Sequence, residues 1–130
     1  MNRSILRAAA AVLLVPAGLA CGSLARQSGR GDPLPRTIHV CETNTATLCA
    51  NWVREGNRYT AEWSQGSRAE IRVAKFDHES IVFIRDDPSG TSAGMHAVYV
   101  GIPDGNAVRR GTVTWSHRGQ TIIGRWTAEW

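Results

Sequence analysis

Ser92 is the residue in this chain that most resembles a nucleophile. It stands in Gly90-Thr91-Ser92-Ala93-Gly94. Serine hydrolases place this Gly-x-Ser-x-Gly pattern on a strand-to-helix turn, where the hydroxyl projects above a parallel sheet. Here Met95–Ile102 alternates like a strand, and small turn residues in a β loop give the same match. No catalytic residue is therefore assigned, and a serine hydrolase is the weakest reading. The histidines, His39, His78, His96 and His117, show no His-Glu-x-x-His or similar ligand spacing. His78 and His117 fall in or beside predicted turns, and His96 falls at a strand edge or surface. Only the fold could bring a His–Asp pair to Ser92. Carboxylates for acid–base work reduce to Asp77, Glu79, Asp86 and Asp87, all in predicted loops where solvated acids are ordinary. Asp86-Asp87 lacks the full oxygen-ligand pattern of a calcium site.

Three cysteines are present, Cys21, Cys41 and Cys49. Cys41 and Cys49 flank the polar loop Glu-Thr-Asn-Thr-Ala-Thr-Leu and are expected to pair in an oxidising compartment. Closing so short a loop stabilises by roughly 2–3 kcal/mol on the entropy model. Cys-x7-Cys has neither the x2–4 spacing nor the second ligand pair of a zinc site, so no metal or other cofactor is expected. Cys21 is the odd thiol. It follows a segment built like an export signal, with Arg3 and Arg7, an apolar stretch Ala8–Val15, and the small-residue end Gly18-Leu19-Ala20. Gly-Leu-Ala-Cys resembles a bacterial lipobox, although its Leu sits two residues before the Cys where three is usual. The resemblance implies lipidation of Cys21 and a membrane-anchored, extracytoplasmic lipoprotein. Gly22 after the Cys implies the outer membrane in a Gram-negative host. Ordinary cleavage would leave a secreted or periplasmic protein.

The aromatic residues repeat. Trp52-Val-Arg-Glu-Gly-Asn-Arg-Tyr-Thr-Ala-Glu-Trp63 is echoed by Trp115-Ser-His-Arg-Gly-Gln-Thr-Ile-Ile-Gly-Arg-Trp126. Each stretch has Gly four residues in (Gly56, Gly119), then an amide side chain. Both read as β-hairpins turned at the Gly, near the start and end of the sheet, where they are expected to pair. Core packing is the expected role of their indoles, each covering about 150–250 Å² and needing a partner for its N–H. The functional alternative is an aromatic floor for a sugar or other apolar-faced ligand, built from Trp52, Trp63, Tyr99, Trp115 and Trp126.

The elements that must carry these residues are strands. Residues 1–20 form the expected signal and 21–36 a Gly-, Ser-, Pro- and Arg-containing tether. Arg30-Gly31-Asp32 within it is a chance match to an adhesion tripeptide. Residues 37–130 form the domain. Ala69, Ile71 and Val73 alternate with Arg68, Glu70 and Arg72, the signature of a half-solvated antiparallel sheet. The run Ile81-Val82-Phe83-Ile84 predicts a strand over 80–85 that is buried on both faces or lies at the centre of the sheet, before a long loop at 86–94. Pro103-Asp104-Gly105-Asn106 and Ser64-Gln65-Gly66-Ser67 read as turns. The whole is all-β: a single small antiparallel meander of about eight strands, closed as a barrel or packed as a sandwich.

The chain carries a formal charge of +4. Removing the signal with Arg3 and Arg7 leaves it near +2, with acids interleaved throughout. This excludes the basic stripe of electrostatic nucleic-acid binding. The expected function is that of an exported binding or interaction module of the cell envelope. Its partners are the membrane, through the anchor, and an envelope protein or small ligand. Ser92-Ala93-Gly94 followed by Tyr99, Trp115 and Gly119 resembles the loop-and-strand pattern of small disulfide-containing β-barrel lipoproteins that inhibit lysozyme. That resemblance implies an inhibitor of a secreted enzyme. The spacing differs from theirs, so it assigns no residue roles.

Overall fold

A computed structural model describes residues 33–63 and 67–130. The expected signal, the lipidation site Cys21, most of the tether and turn residues 64–66 lie outside them. Nine strands follow in order: β1 Thr37–Thr43, β2 Thr47–Glu55, β3 Arg58–Glu62, β4 Arg68–Phe76, β5 Ile81–Ser89, β6 His96–Gly101, β7 Pro103–Asp104, β8 Ala107–His117 and β9 Gln120–Glu129. Every pairing is antiparallel, and no described residue is helical. The sheet runs β6-β5-β4-β3-β2-β1-β9-β8, and β6 also pairs with β8. The sheet thus closes into an eight-stranded barrel with no free edge. The two-residue β7 is an appendage on the start of β8.

Alternation decides which side chains fill the barrel. Ile38 and Val40 of β1, Ala50 and Trp52 of β2, Tyr59 and Ala61 of β3, and Phe83 of β5 point inward and are buried. Trp52 meets Phe83 and Tyr99 edge-on, with ring centroids 5.4 and 5.1 Å apart. Trp126 meets Tyr99 at 5.5 Å. Edge-to-face pairs of this kind are favoured by the ring quadrupoles. Two of the three register shifts keep the interior filled. Between Val73 and Lys75 the register shifts, so the inward set moves from Ala69 and Ile71 to Phe76. Between Val108 and Gly111 the second shift moves it from Val108 to Gly111 and Val113.

Four expectations are corrected. The Trp hairpins β2–β3 and β8–β9 do not pair, because β1 lies between them, bonded to β2 on one side and β9 on the other. The strand predicted over 80–85 continues to Ser89, through residues expected to form a loop. Its apolar run is fully buried on one face only: Ile81 and Phe83 face inward, while Val82 and Ile84 face outward and are half-buried. Pro103-Asp104, expected as part of a turn, forms β7, with Gly105-Asn106 as its turn.

Candidate functional site

One end of the barrel is open. A cavity of about 450 Å³ enters it between the β1–β2 turn, the β5–β6 loop and the β8–β9 turn. Leu48, Met95 and Ile122 supply apolar wall, Trp63 and Trp115 aromatic wall, and Arg85 and Glu42 stand at its floor. Both charged residues sit at inward positions of their strands, the places that continue Ile81-Phe83 and Ile38-Val40. Both are buried.

Arg85 organises the floor. Its Nε and Nη2 donate to the two carboxylate oxygens of Asp87, at 2.6 and 2.8 Å. This is the bidentate geometry that guanidinium and carboxylate favour. Its Nη1 donates to Glu42 Oε1 at 3.0 Å and to the Tyr99 hydroxyl at 3.1 Å. The Tyr99 O–H itself donates to the same Glu42 oxygen. Arg85 Cζ lies 4.7 Å over the Trp63 ring, a cation–π contact in a desolvated place. Two acids therefore share one guanidinium. Burial raises the Glu42 pKa above the usual carboxylate range, against the opposing pull of Arg85 and the Tyr99 hydrogen bond. Burial also raises the Tyr99 phenol well above its ordinary value. For Arg85 burial opposes charge, but Asp87, Tyr99 and Glu42 outweigh it and the guanidinium stays protonated.

The network reaches the rim through Ser92. Its hydroxyl donates to Asp87 Oδ2, and the backbone N–H of Gly94 donates to the Asp87 carbonyl at 2.8 Å. Asp87 thus anchors the β5–β6 loop from below. From the side, His117 Nε2 donates to the Ala93 carbonyl at 3.0 Å, tying that loop to the β8–β9 turn. At that turn Arg118 is exposed and adopts φ 51°, and Gly119 follows at φ 77°. Thr91 Oγ1 shares a 2.9 Å hydrogen bond with Ser67.

The structure divides the candidate aromatic residues. Trp52, Tyr99 and Trp126 are fully buried core, and Trp126 Nε1 donates to the Val100 carbonyl at 3.1 Å. Trp63 and Trp115 line the cavity. The disulfide Cys41–Cys49 is present, on the outward-facing positions of β1 and β2 behind Glu42 and Leu48. Asp87 is the main correction: expected as a solvated loop acid, it is a buried strand residue because Arg85 and Ser92 satisfy it. Asp86 next to it is exposed and pairs with His96 at 2.8 Å, and Asp77 caps its own turn by accepting from the N–H groups of Glu79 and Ser80. Ser92 has no histidine partner among the described residues. Glu42 and Arg85 were not singled out from sequence; the signal available was that each continues a period-two apolar series.

Comparison with protein-family models, curated proteins and solved structures returned no significant match.

Proposed function

We propose that this chain is an exported binding module of the cell envelope whose recognition surface is the mouth of the barrel. The observation that carries the reading is the floor of the cavity, where Glu42, Arg85 and Asp87 are buried together beneath aromatic and apolar walls. Burying an ionic cluster costs several kcal/mol per ion before its pairing is counted, and a close-packed apolar plug would stabilise the barrel end more simply. A concave apolar site with a few convergent polar groups is the usual form of a binding site. The partner is a small ligand or an envelope protein, brought within reach by the export signal and lipid anchor read at residues 1–21. Native mass spectrometry of the protein isolated from its host's envelope tests this. We expect a discrete added mass that leaves on mild activation and is lost in Ile122→Arg, which places a long charged chain across the mouth. A bare wild-type chain, or an adduct retained in the variant, counts against the mouth.

A second reading, inhibition of a secreted glycosidase such as lysozyme, is favoured by the tie between His117 and the Ala93 carbonyl. That tie joins two rim segments beside the exposed Arg118. Glycoside hydrolases of this kind work with a pair of carboxyl groups flanking the scissile bond, and a guanidinium is the natural complement to such a pair. Addition of the protein should slow lysozyme-catalysed lysis, and Arg118→Ala should relieve the effect. Lysis rates unchanged across a wide concentration range would sink this reading.

A further inference from the structure

The disulfide does not stand alone on the outer wall. His39, Cys41 and Cys49 present one ligand atom each, all within 4.8 Å of one another. The register explains why. His39 and Cys41 are two apart on β1 and so share a face, and Cys49 of β2 lies directly across from Cys41. Asn51 lies directly across from His39. Its Oδ1 accepts from His39 Nδ1 at 2.8 Å. In the tautomer with the proton on Nδ1, the lone pair is on Nε2. Nε2 lies 3.6 Å from Cys41 Sγ.

That spacing is the one a metal ion would impose. In a tetrahedral zinc site the Zn–N bond is about 2.1 Å and Zn–S about 2.3 Å, which sets the two ligand atoms roughly 3.6 Å apart. A histidine whose other ring nitrogen donates to an acceptor is also the usual arrangement of a ligating imidazole. We propose that reduction of Cys41–Cys49 converts this patch into a Cys2His site for a soft d10 cation, Zn(II) or Cu(I), so that the disulfide acts as the gate of a metal site. Two thiolates and an imidazole are the ligands such ions select.

The step balances with a dithiol as reductant. The disulfide takes two electrons and two protons to give two thiols, while the dithiol is oxidised to its own disulfide. Metal binding then releases the two thiol protons, since thiolate is the ligating form. The sulfurs separate to roughly 3.8 Å, the S–S spacing on a tetrahedral ion. The patch can accommodate this: Cys49 and His39 are exposed, and the Asn44–Ala46 turn beyond them is exposed too. The fourth position is left to water or an incoming ligand.

The test uses the full mature chain carrying Cys21→Ser, which removes the third thiol. The protein is reduced with a phosphine, freed of reductant without oxygen, and titrated with Zn(II) and with Cu(I) against a chromophoric chelator. Co(II) serves as the spectroscopic probe. We expect one equivalent bound, thiolate-to-Co(II) charge-transfer and tetrahedral ligand-field bands, and no binding to the oxidised form. His39→Ala should weaken binding at least tenfold and change the Co(II) bands. Circular dichroism in the same samples reports the barrel. Equal affinity and identical spectra in His39→Ala would overturn the proposal, as would binding to the oxidised form. A reduced chain that unfolds and does not refold on adding metal would overturn it too.

Discussion

The indole of Trp126 lies in the space a side chain at Gly111 would fill. The two residues face each other across β8 and β9, and a Cβ on Gly111 would overlap Nε1, Cδ1 and Cε2 of the ring. A Cβ on Gly124 would likewise overlap the Trp115 ring, which reaches it diagonally from its place opposite Ile122. Each Trp of the second hairpin thus covers a glycine of the opposite arm, the aromatic rescue that pins register in a sheet. Gly111→Ala should push the Trp126 indole from its site and break its bond to the Val100 carbonyl. Overpacking of this kind costs about 1–3 kcal/mol. Thermal unfolding should show a lower midpoint, with a red-shifted tryptophan emission in the folded baseline.

Arg85 is the single cation beneath two acids. Arg85→Met keeps much of the volume and the contact with Trp63 but leaves Asp87 and Glu42 without their cation, with only Ser92 and Tyr99 still donating to them. Breaking one side of a buried ion pair costs about 3–5 kcal/mol. The triple change Arg85→Met, Asp87→Asn, Glu42→Gln should recover a large part of that loss, because the uncompensated charges are then gone. Urea unfolding of the two variants measures the difference. Equal stability would show that the loss came from packing.

The alternation of Tyr59 and Ala61, or of Ala69 and Ile71, was legible because the inward positions are apolar and the outward ones charged. The floor of the mouth was not, because there the inward positions themselves are charged. Arg85 and Asp87 continue the series Ile81-Phe83, but Asp86-Asp87-Pro88-Ser89 has loop composition, and Pro88 is tolerated only because the ladder is irregular opposite it. Closure into a barrel was one of the two forms the strand pattern allowed, but the strand order around it, with β6 paired to β8, was hidden. The Trp repeat suggested that two like hairpins meet, whereas β1 separates them, and no local pattern says which strand closes a sheet. His39 acquired its neighbours the same way, through strand register and not through spacing along the chain.

Glu42 gives the barrel a pH signature. Burial holds its folded pKa above the ordinary value of 4.5, so the folded state binds this proton more tightly than the unfolded one. The group's contribution to stability is complete below the unfolded value and is lost as pH rises through the folded one. Glu42→Gln keeps an oxygen to accept from Arg85 and Tyr99 and removes the titration. The stability of wild type minus that of Glu42→Gln should therefore fall on going from pH 4 toward neutrality. Denaturant unfolding of both proteins across that range reads it directly, and a difference that rises with pH would show that Arg85 outweighs burial.

Ser92 holds the rim to the floor through one hydroxyl. Ser92→Ala removes a donor from the buried Asp87 carboxylate, which keeps both Arg85 bonds, so the cost should be about 1–3 kcal/mol and well short of that for Arg85→Met. The effect should also be local. The N–H of Gly94 still donates to the Asp87 carbonyl, and His117 still holds Ala93, so the loop loosens without leaving its place. Hydrogen exchange should quicken at Ala93, Gly94 and Met95, while the amides of β1 and β2 are slowed or quickened only by the global change in stability. If the mouth is the recognition surface, partner binding should weaken in Ser92→Ala through a faster off-rate, because the rim then has to be ordered on contact. An unchanged off-rate with quickened exchange would place the contact elsewhere on the barrel.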